Sequence, residues 1–531
     1  MKTWSKYQQE IFKAIEHGTG NMVVNAVAGS GKTTTLVEAA KLVRPGQRAV
    51  FLAFNKHIAT ELGNRLPKGF DAMTIHSLGY KACARGYSGR MKVDGFKYND
   101  LIDETVSAEQ SVPAALHGTF AKTVLNLVNL GRLTLTDLRN QTQVDSLIAH
   151  HDLMADLAEA SFEMEVSLDW LISKAVEVAA RVIKSGQKAY RDNGTIDFTD
   201  MVCLPIALNL PVLRFDLVMV DEAQDLNAAQ LEIVMRASAG GRVVAVGDKF
   251  QAIMGFAGAD NESFQKIAAR TNATEYPLSI CYRCPVTHLE MAKTLVPHIE
   301  ARPDAPAGVV ESVEYERVSG MVHSGDLLIC RTNAPLVGMA LKLIAGGVQA
   351  RIRGADIAAG LVKFIEQCDE VGVSGAGLTW RQLFAAKIDA LVDLRTQVLS
   401  SRKHSESALQ KLNDQAQCLA VYMEGNTSVS STDELITGIR SLFADEGAAV
   451  WLSSIHRAKG LEADRVFILN SDKIELTWKG QMAWQAEQER NIHYVGLTRA
   501  KSTLYLVAQP GTPKAEATTE AQAMEAQPVL A

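Results

Sequence analysis

Apolar residues follow two rhythms along this chain. Toward the N-terminus, and again after about residue 196, they come as short unbroken runs: Met22-Val23-Val24, Arg48 to Phe54, Met73-Thr74-Ile75, Phe215 to Val220, and Arg242 to Val246. Runs of this kind suit strands covered on both faces. Each gives way to polar residues at its C-terminal end, where open α/β sheets place their ligands. Between about 85 and 195 the rhythm becomes helical, as in Val124, Leu127 and Val128, or Leu168, Leu171 and Val176. The pattern predicts one parallel sheet with helices on both faces, interrupted by an all-helical insertion. Asp197-Phe198-Thr199-Asp200 returns the chain to the sheet.

From about Cys281 a second α/β unit begins, with Asp326 to Cys330 and Val466 to Leu469 as strands. A smaller helical insertion lies between them, its last helix opened by Ser431-Thr432-Asp433-Glu434 as a capping box. The predicted organisation is 1–85 and 196–280 for the first sheet domain, with insertion 86–195, then 281–370 and 448–509 for the second, with insertion 371–447. Residues 510–531 are rich in Pro, Thr, Ala and Glu, bury nothing and are expected to be a disordered tail.

The chain's 531 residues exceed one domain, and 47% hydrophobic with 21% charged residues is ordinary globular composition. The net charge of −6 does not announce a nucleic-acid binder, although a motor gripping DNA in one groove need not be basic overall. No apolar run reaches membrane-spanning length and the N-terminus lacks a signal-peptide core, so the expected location is cytoplasmic, at the nucleoid if the host is bacterial or phage-infected. Seven scattered cysteines do not suggest a disulfide framework. Cys281-Tyr282-Arg283-Cys284 is a lone CxxC without a second pair at zinc spacing, and reads as incidental thiols beside a functional Tyr-Arg.

Ala26-Val27-Ala28-Gly29-Ser30-Gly31-Lys32-Thr33 joins the first strand to the first helix after it. Strand, glycine-containing loop and helix start are what a phosphate-binding loop needs, although its first position is Ala26 rather than Gly. Lys32 can reach terminal phosphates and the Thr33 hydroxyl can ligate Mg²⁺. Asp221-Glu222-Ala223-Gln224-Asp225 follows a strand: Asp221 suits a Mg²⁺ ligand, and Glu222 a base for the attacking water. Gln251 ends another strand and can sense a γ-phosphate. Phe256, between Gly255 and Ala257-Gly258, can stack on a base for about 1–3 kcal/mol. Gln8 can read the N6/N7 edge of adenine. Arg283 and Arg499 are candidate transition-state cations.

Together these blocks resemble the UvrD/Rep branch of superfamily 1 helicases. Ile455-His456-Arg457-Ala458-Lys459-Gly460-Leu461-Glu462 and Tyr494-Val495-Gly496-Leu497-Thr498-Arg499-Ala500 are especially specific, and the blocks span nearly the whole chain in family order. The short second insertion, Phe54 to Ala59 and Arg331 to Ala334 further resemble the helicase region of F-box DNA helicases. No F-box is expected ahead of it, because the glutamine motif starts almost at residue 1.

The resemblance implies two RecA-like P-loop NTPase domains, each with a helical insertion. ATP lies between them, and single-stranded DNA or a single-strand/duplex junction across them. It implies an ATP site of Gln8, Ala28, Gly29, Ser30, Gly31, Lys32, Thr33, Thr34, Tyr282, Arg283, Glu462 and Arg499, with Tyr282 stacking on adenine and Glu462 facing the ribose. Mg²⁺ falls to Thr33 and Asp221. Catalysis falls to Lys32, Glu222, Gln251, Arg283 and Arg499. Phe54, Asn55, His76, Phe256 and His456 fall along the strand.

The implied activity is an ATP-dependent DNA helicase moving 3′ to 5′, in repair or recombination. The polarity rests on the branch: the third block continues into Phe256-Ala257-Gly258-Ala259, and the fifth carries Ala458-Lys459-Gly460-Leu461-Glu462. Where family members have Tyr, Arg and Phe, this chain has Met254, Ala257 and Ile75, which weakens three expected strand contacts and leaves the ATP side intact. Two rivals follow: a translocase that strips proteins with little unwinding, and a non-hydrolysing ATP switch or recruitment module, against which Glu222, Gln251, Arg283 and Arg499 argue.

Overall fold

A computed structural model describes residues 3–44, 46–151, 153–154, 157–158, 161, 164–255, 262–400, 406–443, 447–479 and 481–508. The expected tail at 510–531 lies outside them, as do Phe256 and Ala257.

The apolar runs of the first unit form a six-stranded, wholly parallel sheet in the order Phe70–Thr74, Ala49–Ala53, Leu217–Val220, Arg242–Gly247, Met22–Ala26, Thr274–Leu278. Alternate faces of its central strands pack into two cores, Val23, Leu52, Val218 and Ala245 on one side and Val24, Phe51, Met219 and Val246 on the other. Because all strands run the same way, their C-terminal ends share one edge. That edge carries the phosphate loop, Phe54-Asn55, Asp221-Glu222 and Asp248. A second parallel sheet follows the order Val309–Val313, Ala500–Val507, Ala463–Leu469, Leu327–Cys330, Val450–Ser454, Ala350–Ile352. The chain is mixed α/β, as two RecA-like domains require.

The first insertion packs helices Lys97–Ser107, His117–Thr134, Gln141–His151 and Leu168–Asn193 around their own core of Phe120, Leu127, Leu171 and Val178. It is not purely helical: Lys92–Val93 pairs in parallel with Thr195–Ile196 and closes its neck. Beside that ladder is a buried ionic node. The Asp200 carboxylate accepts Lys97 Nζ at 2.5 Å, the Tyr98 hydroxyl at 2.9 Å and Arg132 NH1 at 3.1 Å, while Arg132 also forks onto Asp197 at 3.0 and 2.9 Å. The Arg132 guanidinium lies 3.6 Å over the Tyr98 ring. Lys97, Tyr98 and Arg132 belong to the insertion, and Asp197 and Asp200 to the returning chain.

The second insertion behaves differently. Its helices Trp380–Ser400, Glu406–Gly425 and Thr432–Leu442 share one continuous core with helices Ala334–Ala345 and Ala355–Glu370 and with strand residues Leu452 and Phe467. Asp414 seals the joint by accepting the amides of Asn333 and Ala334 at the start of a parent-domain helix. The expected capping box is half made. The Ser431 hydroxyl accepts the Glu434 amide, but the Glu434 carboxylate reaches one residue further back, to the Ser430 amide at 2.8 Å.

Candidate active site

The loop after Met22–Ala26 enters the helix Lys32–Ala40 through Gly31, whose left-handed backbone (φ 76°) caps it without a side chain and turns the first helical amides outward. Gly29 has a second reason to be glycine. A Cβ there would stand 2.7 Å from Arg283 Cβ and 3.0 Å from Cys281 Sγ, so the second domain's Cys-Tyr-Arg segment can lie directly on the phosphate loop. Tyr282 donates its amide to the Gly29 carbonyl at 2.9 Å. From the same side, the Tyr494 hydroxyl accepts the Ala28 amide at 2.8 Å.

Lys32 Nζ is 3.4 Å from Glu222 Oε1. Burial works against the ammonium charge, but Glu222, Asp248 and Asp221 outweigh it and raise its pKa. The Thr33 hydroxyl donates to Asp221 Oδ2 at 2.6 Å. Burial, with the neighbouring Glu222 charge, pushes Asp221 up to about 6. Glu222 is held below its usual range: burial opposes this, and Lys32 and Lys459 overcome it. Its backbone is left-handed (φ 52°), a cost of order 1 kcal/mol for a non-glycine residue that aims the carboxylate back at Lys32. Hard oxygens from Thr33 and Asp221 meeting at one point are the donor set Mg²⁺ takes. The raised Asp221 pKa marks a carboxylate short of positive charge, which fits that ion.

Gln224 wires the edge together. Its amide nitrogen donates to Glu222 at 2.6 Å and Asp225 at 3.1 Å, and its oxygen accepts the Asp248 amide at 3.0 Å. Gly247 makes room, since a Cβ there would lie 2.4 Å from that oxygen. Asp248, fully buried and pushed up to about 6 by burial, receives Gln251 Nε2 at 2.6 Å. Lys459 crosses from the second domain to Asp225 (2.7 and 2.6 Å) and to the Gln251 carbonyl (2.6 Å). Asn491 also reaches across, to the Ala252 carbonyl at 3.0 Å. Gln224, Lys459 and Tyr494 stand inside the sequence blocks without a role. Local pattern marks them as block members, but their partners lie up to 466 residues away.

The two candidate cations stand together and are held differently. Arg283 pairs with Glu462 at 2.6 Å and donates to the Thr498 carbonyl at 3.3 Å. Glu462 also meets Lys501 at 2.7 Å, so the carboxylate expected to face a ribose is engaged with two cations. Arg499 is 1% exposed and bonds to the Val495 carbonyl, the Leu461 carbonyl and the Thr498 hydroxyl. Burial first, and Arg283 second, bring its pKa down to about 10. Two neighbouring guanidiniums, one without a carboxylate among these partners, favour an anion between them. Gln8 is buried: its oxygen accepts the Ser5 amide (3.1 Å) and the Tyr282 hydroxyl (3.3 Å), and its nitrogen donates to Thr35 (3.0 Å). Gln8 and Tyr282 thus meet, as one adenine reader needs. Ser30 is buried and Thr34 half-buried at the helix start.

On the candidate strand face, Phe54 is 59% exposed just beyond its strand. Asn55 caps the helix Lys56–Gly63, its side chain accepting the Ile58 amide at 2.9 Å, so that oxygen is already used. His76 sits in the first turn of the helix Ile75–Gly86, where burial lowers its pKa. His456 follows strand Val450–Ser454; burial, with Arg331, drives it down to about 3, and it meets any strand as a neutral ring. Ile75 and Met254 are two of the departures from the family pattern. Ile75 is 5% exposed in the first domain's core and Met254 packs half-buried on the second's, so neither presents a free side chain where the family's aromatics stand. The sequence reasoning passed over Phe198, 63% exposed beside the neck of the first insertion.

Comparison with known proteins bears on the same residues. The family model for the UvrD/REP helicase N-terminal domain matches residues 7–272, and that for the UvrD-like helicase C-terminal domain matches 449–507. Among curated relatives, F-box DNA helicase protein 1 of Schizosaccharomyces pombe is 22% identical over 91% of this chain, which spans 55% of that protein's length. DNA helicase II of Salmonella typhimurium and of Escherichia coli are each 22% identical over 93% of this chain and 83% of theirs. Among the described residues no helix is long and apolar enough to cross a membrane.

Proposed function

The chain belongs to the UvrD/REP helicase family, and from that premise we propose that it is a DNA motor. In this reading ATP hydrolysis between the two domains drives 3′-to-5′ movement along single-stranded DNA and separates the duplex ahead. One observation carries the reading: the hydrolytic groups are divided between domains. Lys32, Thr33, Asp221, Glu222 and Gln251 sit on the first; Arg283 and Arg499 belong to the second; Tyr494 ties the two at the phosphate loop, and Lys459 ties them at Asp225 and the Gln251 carbonyl. Competence for hydrolysis and inter-domain spacing are then one variable, which is how a nucleotide cycle becomes a stroke.

Lys32 and the loop amides grip the β- and γ-phosphates, and Glu222 orients the attacking water and takes its proton. Arg283 and Arg499 meet the charge that develops on the γ-oxygens. Bound at Thr33 and Asp221, Mg²⁺ would supply neutralisation of the phosphate oxygens. Exposed Phe54 supports sequence-tolerant stacking on bases. Support for the polarity is the branch resemblance of the third and fifth blocks.

The test uses duplexes carrying a single-stranded tail on one end. Displacement from the 3′-tailed substrate, with ATPase stimulated by single-stranded DNA and abolished in Lys32→Ala, is expected. Displacement only from the 5′-tailed substrate would reverse the polarity. DNA-stimulated hydrolysis without displacement from either would leave a protein-stripping translocase.

A further inference from the structure

The Cys281/Cys284 pair is not used by the proposed hydrolysis, yet it lies at the tightest point of the cleft. The strand Ile280–Cys281 delivers the first sulfur against Gly29. The Cys284 amide donates to Cys281 Sγ at 3.4 Å, and the Cys284 thiol points to the Thr498 carbonyl at 3.6 Å, beside Arg499. Both are shut in, 0% and 2% exposed, by Val27 and Ala28 of the phosphate loop and by Tyr494 of the second domain. Between them in sequence stand Tyr282 and Arg283.

We propose that Cys281 and Cys284 form a redox modification site, closed to a disulfide by hydrogen peroxide, which holds the Tyr282-Arg283 turn out of register and arrests the proposed motor. The activity arm of this inference rests on the ATPase reading above. Cys281 as thiolate attacks the distal peroxide oxygen, the O–O bond breaks, and the leaving oxygen departs as water once protonated. The Cys284 thiol then attacks the Cys281 sulfenic acid, the S–S bond forms and a second water leaves. Two thiols are oxidised by two electrons and one peroxide is reduced to two waters.

The chemistry is selective. Hydrogen bonding from Cys284, whose amide reaches Cys281 Sγ, outweighs burial and brings Cys281 down to about 7, with Arg283 contributing, while Cys284 itself is raised and remains the thiol partner. Burial instead raises Cys83 to about 12, Cys330 to about 11 and Cys368 to about 12, and raises Cys203 and Cys418 as well. A disulfide draws its sulfurs to about 2.05 Å, which shifts the turn where it lies against the phosphate loop, a Cβ at position 29 standing only 2.7 Å from Arg283 Cβ. Because walls from both domains bury the pair, peroxide reaches it only when the domains part, and a ligand that holds them together is expected to slow its oxidation.

The experiment treats the full reduced chain with hydrogen peroxide, blocks remaining thiols, maps peptides and follows DNA-stimulated ATPase. A Cys281–Cys284 disulfide is expected, with turnover falling at least fivefold and recovering in dithiothreitol. A non-hydrolysable ATP analogue with single-stranded DNA should slow disulfide formation. Cys284→Ser, which keeps a donor for the Thr498 carbonyl, should lose the reversible inhibition. Recovery of both thiols unmodified from treated wild-type protein overturns the site whether or not the variant folds. A disulfide that leaves turnover unchanged overturns the arrest, as does equal reversible inhibition in Cys284→Ser. Absence of ATPase in the reduced chain would instead count against the motor reading, and the disulfide map would still decide the modification.

Discussion

Asp221 is built at a loss. A carboxylate pushed up to about 6 by burial and by Glu222 is one whose ionised form the fold disfavours. Its folded pKa lies above its unfolded value of 3.8, so the associated stability is full below about pH 4 and lost as pH rises through about 6. Asp221→Asn keeps an acceptor for the Thr33 hydroxyl and removes the buried charge. The variant is therefore expected to be at least as stable as wild type at pH 8, by an amount of order 1 kcal/mol, and to melt correspondingly higher, with the gap closing below pH 6, while hydrolysis falls by about two orders of magnitude or more. Thermal melts across pH 5 to 8 decide it: a variant that melts lower than wild type throughout would make the ionised carboxylate a structural support. Glu222 spends stability too, in its left-handed backbone. Active-site carboxylates are where a sequence is easy to read for role and impossible to read for protonation, since Asp221 and Glu222 are adjacent and shift in opposite directions.

At the scale of elements, the two insertions are joined to their domains by different physics. The first hangs on the Lys97/Arg132/Asp197/Asp200 node, the second on shared apolar packing. Asp200→Asn leaves Lys97 and part of Arg132 buried without their counter-charge and is expected to cost about 3–5 kcal/mol in chemical denaturation. An effect below 1 kcal/mol would mean the node relaxes without strain. Most interior parallel strands were legible because burial on both faces writes itself as unbroken apolar sequence. Val450–Ser454 and Ala500–Val507 were missed although they lie inside the second sheet, because serines, Lys501 and Thr503 interrupt their apolar runs; the exposed edge Val309–Val313 and the three-residue Ala350–Ile352 carry no such run either. The ionic node was invisible for another reason: Lys97 and Asp200 lie 103 positions apart, and no local pattern pairs them. Nor could the sequence show that the Asn55 oxygen caps a helix, or that Ile75 is buried where the family puts an aromatic.

Across the whole molecule, the domains are linked by few polar contacts, and Lys459 makes three of them. Lys459→Met would leave Asp225 buried without its counter-charge and uncouple the Gln251 carbonyl from Lys459. DNA-stimulated turnover should fall at least tenfold while nucleotide still binds the phosphate loop; stimulation within twofold of wild type would show that closure is transmitted elsewhere. The contact between Arg283 and Glu462 has a kinetic consequence. Glu462 stands as an internal competitor for Arg283. In the proposed cycle an arriving γ-phosphate would first have to evict it, lowering apparent affinity, and its loss would let the carboxylate return and hasten release of what is left. The ion pair would then work as an escapement, setting the tempo of the proposed cycle rather than the force of its stroke.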